Sequence, residues 1–177
     1  KMTAPTSSFA VSTTLQSGNL NIDALLGGVK WGGSTGSGTT LSYSFPWVSG
    51  GAAFFGAGSG AYSDLNEPFA TEHFGLSTDQ QHAVRAALQA WANVANLGFV
   101  EVADTAPDVG DIRVAWTSAK LDRYGPGGPG AWAYFPSGYH PSGGDIWINT
   151  EYISAGGNSW AAGSTGYQAA LHELGHA

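Results

Sequence analysis

The stretch STDQQHAVRAALQAWANVANLG, Ser77 to Gly98, constrains the fold more than any other. Ser77 offers an oxygen to the first turn of a helix, and Gln80 three places on completes a capping box. Val84, Ala87, Leu88, Trp91 and Ala95 then recur at helical spacing, so one face is apolar, and Asn96 and Gly98 stop the helix. FVEVA (Phe99 to Ala103), DIRVAWT (Asp111 to Thr117), AWAYF (Ala131 to Phe135) and DIWIN (Asp145 to Asn149) follow as strand-like runs flanked by turn residues. LSYSF, Leu41 to Phe45, alternates as a half-buried strand does. A second helix opens at Thr165, with Gln168 completing its box and Tyr167, Ala170, Leu171 and Leu174 as its apolar stripe. The expected class is α+β: a five-stranded mixed, twisted sheet with two long helices.

Residues 1–39 read as an N-terminal arm or leader and a Gly/Ser linker, and 40–177 as the folded domain. Within the arm, Ile22, Leu25 and Leu26 suit a short helical turn closed by Gly27 and Gly28. Aromatics alternate with glycine from Gly50 to Gly75 without a period, which reads as loop. Six Lys and Arg against 13 Asp and Glu leave a net charge of -7, which excludes a nucleic-acid partner. No stretch approaches the ~20 apolar residues of a membrane span. The chain has no cysteine, so a metal must be held by His, Asp, Glu or Tyr.

LHELGHA, Leu171 to Ala177, carries such a set. His172 and His176 lie four apart, on one face of a helix, and offer two imidazole nitrogens to one Zn²⁺. Glu173, at the edge of that face, reaches a zinc-activated water and acts on it as general base. That chemistry hydrolyses peptide bonds. The competing reading is a surface helix that carries two His and a Glu by chance, and Gly175 between the ligands and the apolar stripe behind them weigh against it.

HELGHA resembles the start of the metzincin motif HExxHxxGxxH, and LSYSF, QHAVRAALQAWANVANLGFVEV, DIRVAW, GAWAYFP and GGDIWIN resemble metzincin blocks in matching order. The likeness covers about Leu41 to Ala177 and implies a metzincin-like N-terminal subdomain whose second helix carries HExxH. Through AWANVANLGFVEV and GYQAALHELGHA the chain is most similar to serralysins, secreted bacterial zinc endopeptidases with calcium-binding repeats behind the protease domain. Matrixins share several blocks, but DRYGPGGPGAWAYFP lacks the His of their structural zinc and calcium site. The resemblance implies protein or peptide substrates, with Ala131, Trp132, Ala133 and Tyr134 as the substrate-binding edge strand. It also implies extracellular localisation through a one-step, type I-like export, and Ca²⁺ in a C-terminal region.

The metzincin pattern places its third His six residues after the second, beyond Ala177. The expectation is therefore the N-terminal part of a catalytic domain, partnered by the remainder of its own enzyme. Alone it should bind Zn²⁺ weakly or not at all and be inactive. The alternative is a secreted binding or surface-layer module without catalysis. GGSTG (Gly32 to Gly36) and GPGGPG (Gly125 to Gly130) mimic a hydrolase elbow and a nucleotide loop but lack the strand-to-helix context either needs. His73, His82 and His140 carry no role.

Overall fold

The strand Ile112–Thr117 is buried along its whole length, which is the mark of a strand central to a sheet covered on both faces. Ile112, Val114 and Trp116 alternate with Arg113, Ala115 and Thr117, so one side is apolar and the other carries a cation. The computed structural model describes residues 11–24, 26–49, 73–104, 109–118, 130–150, 153 and 159–177. In chain order these form β1 (Val11–Thr13), α1 (Leu20–Asp23), β2 (Val29–Trp31), β3 (Thr39–Ser44), β4 (His73–Phe74) and α2 (Thr78–Ala92). There follow β5 (Leu97–Glu101), β6 (Ile112–Thr117), β7 (Ala131–Ala133), β8 (Ile146–Asn149) and α3 (Thr165–Leu174).

The main sheet has the order β5-β3-β6-β8-β7, with β4 also paired to β6. Pairs β3–β5, β3–β6 and β6–β8 are parallel, whereas β4–β6 and β7–β8 are antiparallel, so the sheet is mixed. Six strands stand where five were expected: β4 falls in the stretch read as loop, and His73 is part of it, its ring 4.2 Å from that of Trp47. A two-residue strand has too little pattern to be seen in sequence; pairing with β6 and the stacking of Phe74 on Trp116 at 5.8 Å define it. The helices cover one face of the sheet. Val84, Ala87 and Leu88 of α2 and Ala170 and Leu174 of α3 pack with Ile112, Val114, Trp116, Ile146 and Ile148.

The arm is attached to this core. β1 and β2 form an antiparallel pair, and Trp31, placed at the start of the supposed linker, is buried in the core cluster. The helical turn expected around Ile22 to Leu26 runs instead over Leu20–Asp23, capped by the Asn19 side chain; Leu25 and residues 50–72 lie outside the described residues.

Two polar clusters tie the layers together. Arg113 meets Asp104 at 2.7 Å with both side chains buried, and Ser44 donates to the same carboxylate at 2.8 Å. Arg85 of α2 makes two 2.7 Å bonds to Glu101 of β5, and the Tyr43 hydroxyl donates to Glu101 from β3. The Arg85 guanidinium holds the Glu101 carboxyl below its ordinary range. Burial and the bond to Glu101 push the Tyr43 phenol up to about 12.

Candidate metal centre

The second helix was expected to carry the whole of HExxH; α3 carries His172 and Glu173 but ends at Leu174, so His176 follows it in the next turn. The N-cap of α3 is Ser164, whose hydroxyl accepts from the Tyr167 N–H; Thr165, expected to cap, is the first helical residue. Gln168 accordingly donates to the Gly163 carbonyl rather than closing a box. One residue of register moves the cap because Ser and Thr stand side by side and both can perform it.

The other end of α3 departs from regular geometry. The N–H of Gly175 bonds to the carbonyl of His172, and that of His176 to Glu173, both three residues back instead of four. Across this tightened turn the His172 and His176 Nε2 atoms stand 3.1 Å apart, with ring planes at 82°. Two nitrogens on one tetrahedral zinc with bonds of 2.0–2.1 Å would lie about 3.3 Å apart, so the pair fits such an ion. Among the described residues no group of three or more His, Cys, Asp or Glu side chains comes together, so this pincer supplies two donors.

Glu173 is more shielded than the two imidazoles beside it. It is 8% exposed, whereas both His side chains are exposed. Burial raises its carboxyl above the ordinary value, opposed in part by the charge of His172 and by a hydrogen bond from the Ala133 backbone N–H. A carboxylate that is slightly reluctant to ionise beside two imidazoles is suited to accept and return a proton.

The bond from Ala133 connects the helix to the sheet edge. Asn149 donates to the Gly130 carbonyl and Tyr134 to the Asp145 carbonyl, while Trp132 stands opposite Trp147. In an antiparallel ladder the bonded direction alternates, so Gly130, Trp132 and Tyr134 turn their backbone toward β8 and Ala131 and Ala133 turn theirs off the sheet. Of the four residues expected to meet substrate, Ala131 and Ala133 therefore hold their polar groups at the free edge. Trp132 and Tyr134 do not, and among the described residues the buried indole N–H of Trp132 has no partner.

Three contacts of this site carried no signal in the sequence. Trp91 of α2 donates its indole N–H to the Leu171 carbonyl at 3.0 Å. Phe135 sets its ring edge-on to His176, 5.9 Å between centroids. The Ala133 N–H meets Glu173. Each joins residues far apart in the chain, and the apolar spacing that identified Trp91 as helical said nothing about what its nitrogen would reach.

The family model described as Matrixin matches residues 69–177, a span that holds α2, the strands β4 to β8 and the whole of LHELGHA. Matrix metalloproteinase-17 of Homo sapiens is 38% identical over 95 residues, 51% of this chain and 15% of that protein. The chain thus spans a small part of the curated relative it matches. No helix among the described residues is long and apolar enough to cross a membrane.

Proposed function

The chain belongs to the matrixin family, and from that premise we propose that it carries the catalytic base and two ligands of a zinc-dependent endopeptidase. The observation that carries this reading is the convergence of His172 and His176 Nε2 at 3.1 Å with buried Glu173 between them and the sheet edge. Zn²⁺, when bound, supplies a Lewis acid that polarises a carbonyl and makes water a nucleophile near neutral pH. His172 and His176 would hold the ion through Nε2. Glu173 takes a proton from the attacking water as its oxygen bonds to the peptide carbon, and gives that proton to the amine as the carbon–nitrogen bond breaks.

An extended peptide adds to β7 through the outward backbone groups of Ala131 and the carbonyl of Ala133, whose N–H meets Glu173, so recognition rests on main chain and tolerates many sequences. Trp132 and Tyr134 contribute by holding that strand to β8. With two imidazoles, the 177-residue chain by itself binds zinc weakly and turns over no substrate. The serralysin likeness, with Ca²⁺ in a C-terminal region, secretion by a one-step route and extracellular protein substrates, rests on AWANVANLGFVEV, GYQAALHELGHA and the absence of cysteine, and the matrixin match does not carry it. The matrixin match and the metalloproteinase relative support the broader class of metalloendopeptidase.

Casein digestion by the full-length protein tests the reading. Activity should disappear with a zinc chelator, return on adding Zn²⁺, and be absent in Glu173→Ala. Proteolysis that survives either treatment would sink it.

A further inference from the structure

The glycine between the two ligands has no backbone reason to be glycine. Gly175 has φ -75° and ψ -19°, ordinary right-handed helical values, where alanine is the preferred residue and glycine the disfavoured one. What forbids a side chain there is a neighbour: a Cβ on Gly175 would lie 2.8 Å from Cζ2 of Trp91 and 3.4 Å from its Cη2. The same indole donates its N–H to the Leu171 carbonyl at 3.0 Å.

These two contacts meet at the irregularity of the helix end. In a regular α-helix the Gly175 N–H would bond to the Leu171 carbonyl; here it bonds to His172, and the Leu171 carbonyl is taken by Trp91 instead. The indole thus fills the bond that the tightened turn gives up, and its ring occupies the space where a Cβ would push the turn away. The turn in question is the one that carries His172 to His176.

We infer that Trp91 is a positioning residue for the metal pincer: through Leu171 and Gly175 it holds the tightened turn that brings the two imidazole nitrogens together. This rests on the zinc reading of the pincer. It assigns Trp91 no contact with metal or substrate. A group one step behind the ligands governs their orientation, and loss of such support commonly weakens metal binding tenfold or more.

The test uses the 177-residue chain and Zn²⁺ alone, by calorimetric titration, with thermal melting and the NMR cross-peak between the His172 and His176 rings measured on metal-free protein. His172→Ala/His176→Ala is the control for the pincer itself: zinc binding unchanged by that pair sinks the zinc reading whatever Trp91 does. Trp91→Phe removes the N–H and the ring atoms nearest Gly175, and Gly175→Ala adds the methyl. Each should weaken the inter-ring cross-peak and lower zinc affinity about tenfold. Trp91→Phe/Gly175→Ala, in which the methyl meets only the His172 carbonyl at 3.1 Å, should recover part of what Gly175→Ala alone loses. Rings that keep their contact in both single variants, or affinity that follows melting temperature across the set with no recovery in the double variant, would overturn the positioning role. The cross-peak decides the matter even where zinc binds too weakly to titrate.

Discussion

The two main helices are built on opposite plans. α2 starts with a full capping box, Ser77 accepting from Gln80 N–H and Gln80 returning a bond to the Ser77 N–H, and buries Val84, Ala87 and Leu88 against the sheet. α3 starts with a single cap bond, runs ten residues, and ends in a tightened turn that exposes two imidazoles while burying a carboxylate. The first arrangement satisfies each local preference. The second sets several aside, with an unfavourable glycine, a desolvated acid and a displaced carbonyl, all within the last turn. Local departures of this kind collect where chemistry is done, and the rest of the fold must hold them in place.

Substitutions should separate framework from site. The largest expected effect is in the framework: Arg113→Ala leaves the buried Asp104 carboxylate without its cation, and loss of one partner of such a pair destabilises by about 3–5 kcal/mol. Urea unfolding would read this directly, and a shift in midpoint worth under about 1 kcal/mol would show that Ser44 alone satisfies Asp104.

Next come the caps. Ser77→Ala should lose about 1 kcal/mol and Ser164→Ala less, since α2 has the reciprocal bond and α3 lacks it. Equal losses would mean that the Gln80 return bond adds nothing.

At the site the sign should reverse. Glu173→Gln removes a buried charge while keeping an acceptor for the Ala133 N–H, so the metal-free chain should melt higher at neutral pH, by about 2–4 °C for each kcal/mol gained. A lower melting temperature would place Glu173 with the framework.

The smallest effect is the pH response of the α2–β5 link. The Glu101 carboxyl is held below 4.5 in the folded chain, so its contribution is complete above that value and fades as pH falls through the folded one. Tyr43, raised from 10.0 to about 12, contributes below its unfolded value and loses that contribution as pH rises across this interval. Arg85 and Glu101 are partly exposed, so the acid slope should be shallow, and Arg85→Gln should flatten it. An unchanged acid limb in that variant would assign the slope to other carboxyls.

Helix α2 was legible because its cap, box and stripe are all short-range patterns, each residue within four of the next. The runs that became β3, β5, β6, β7 and β8 were legible for the same reason, their alternation being local. Thr165 was mistaken for a cap because Ser164 beside it has the same chemistry, and only the backbone, extended at Ser164, distinguishes them. The arm's Trp31 looked like the start of a linker because nothing within ten residues shows that the core has room for it.

The sequence by itself put His172 and Glu173 on a helix with His176 four residues after the first, but α3 ends at Leu174 and His176 follows in the tightened turn beyond it. Tertiary structure alone decided how they are presented. Trp91 lies 80 positions from the carbonyl it engages, and Ala133 comes from a different strand than any feature of LHELGHA suggests. Hydrogen bonds and excluded volume act through space, so the residues that aim the two imidazoles and bury the base become visible only when the sheet has folded beneath the helix.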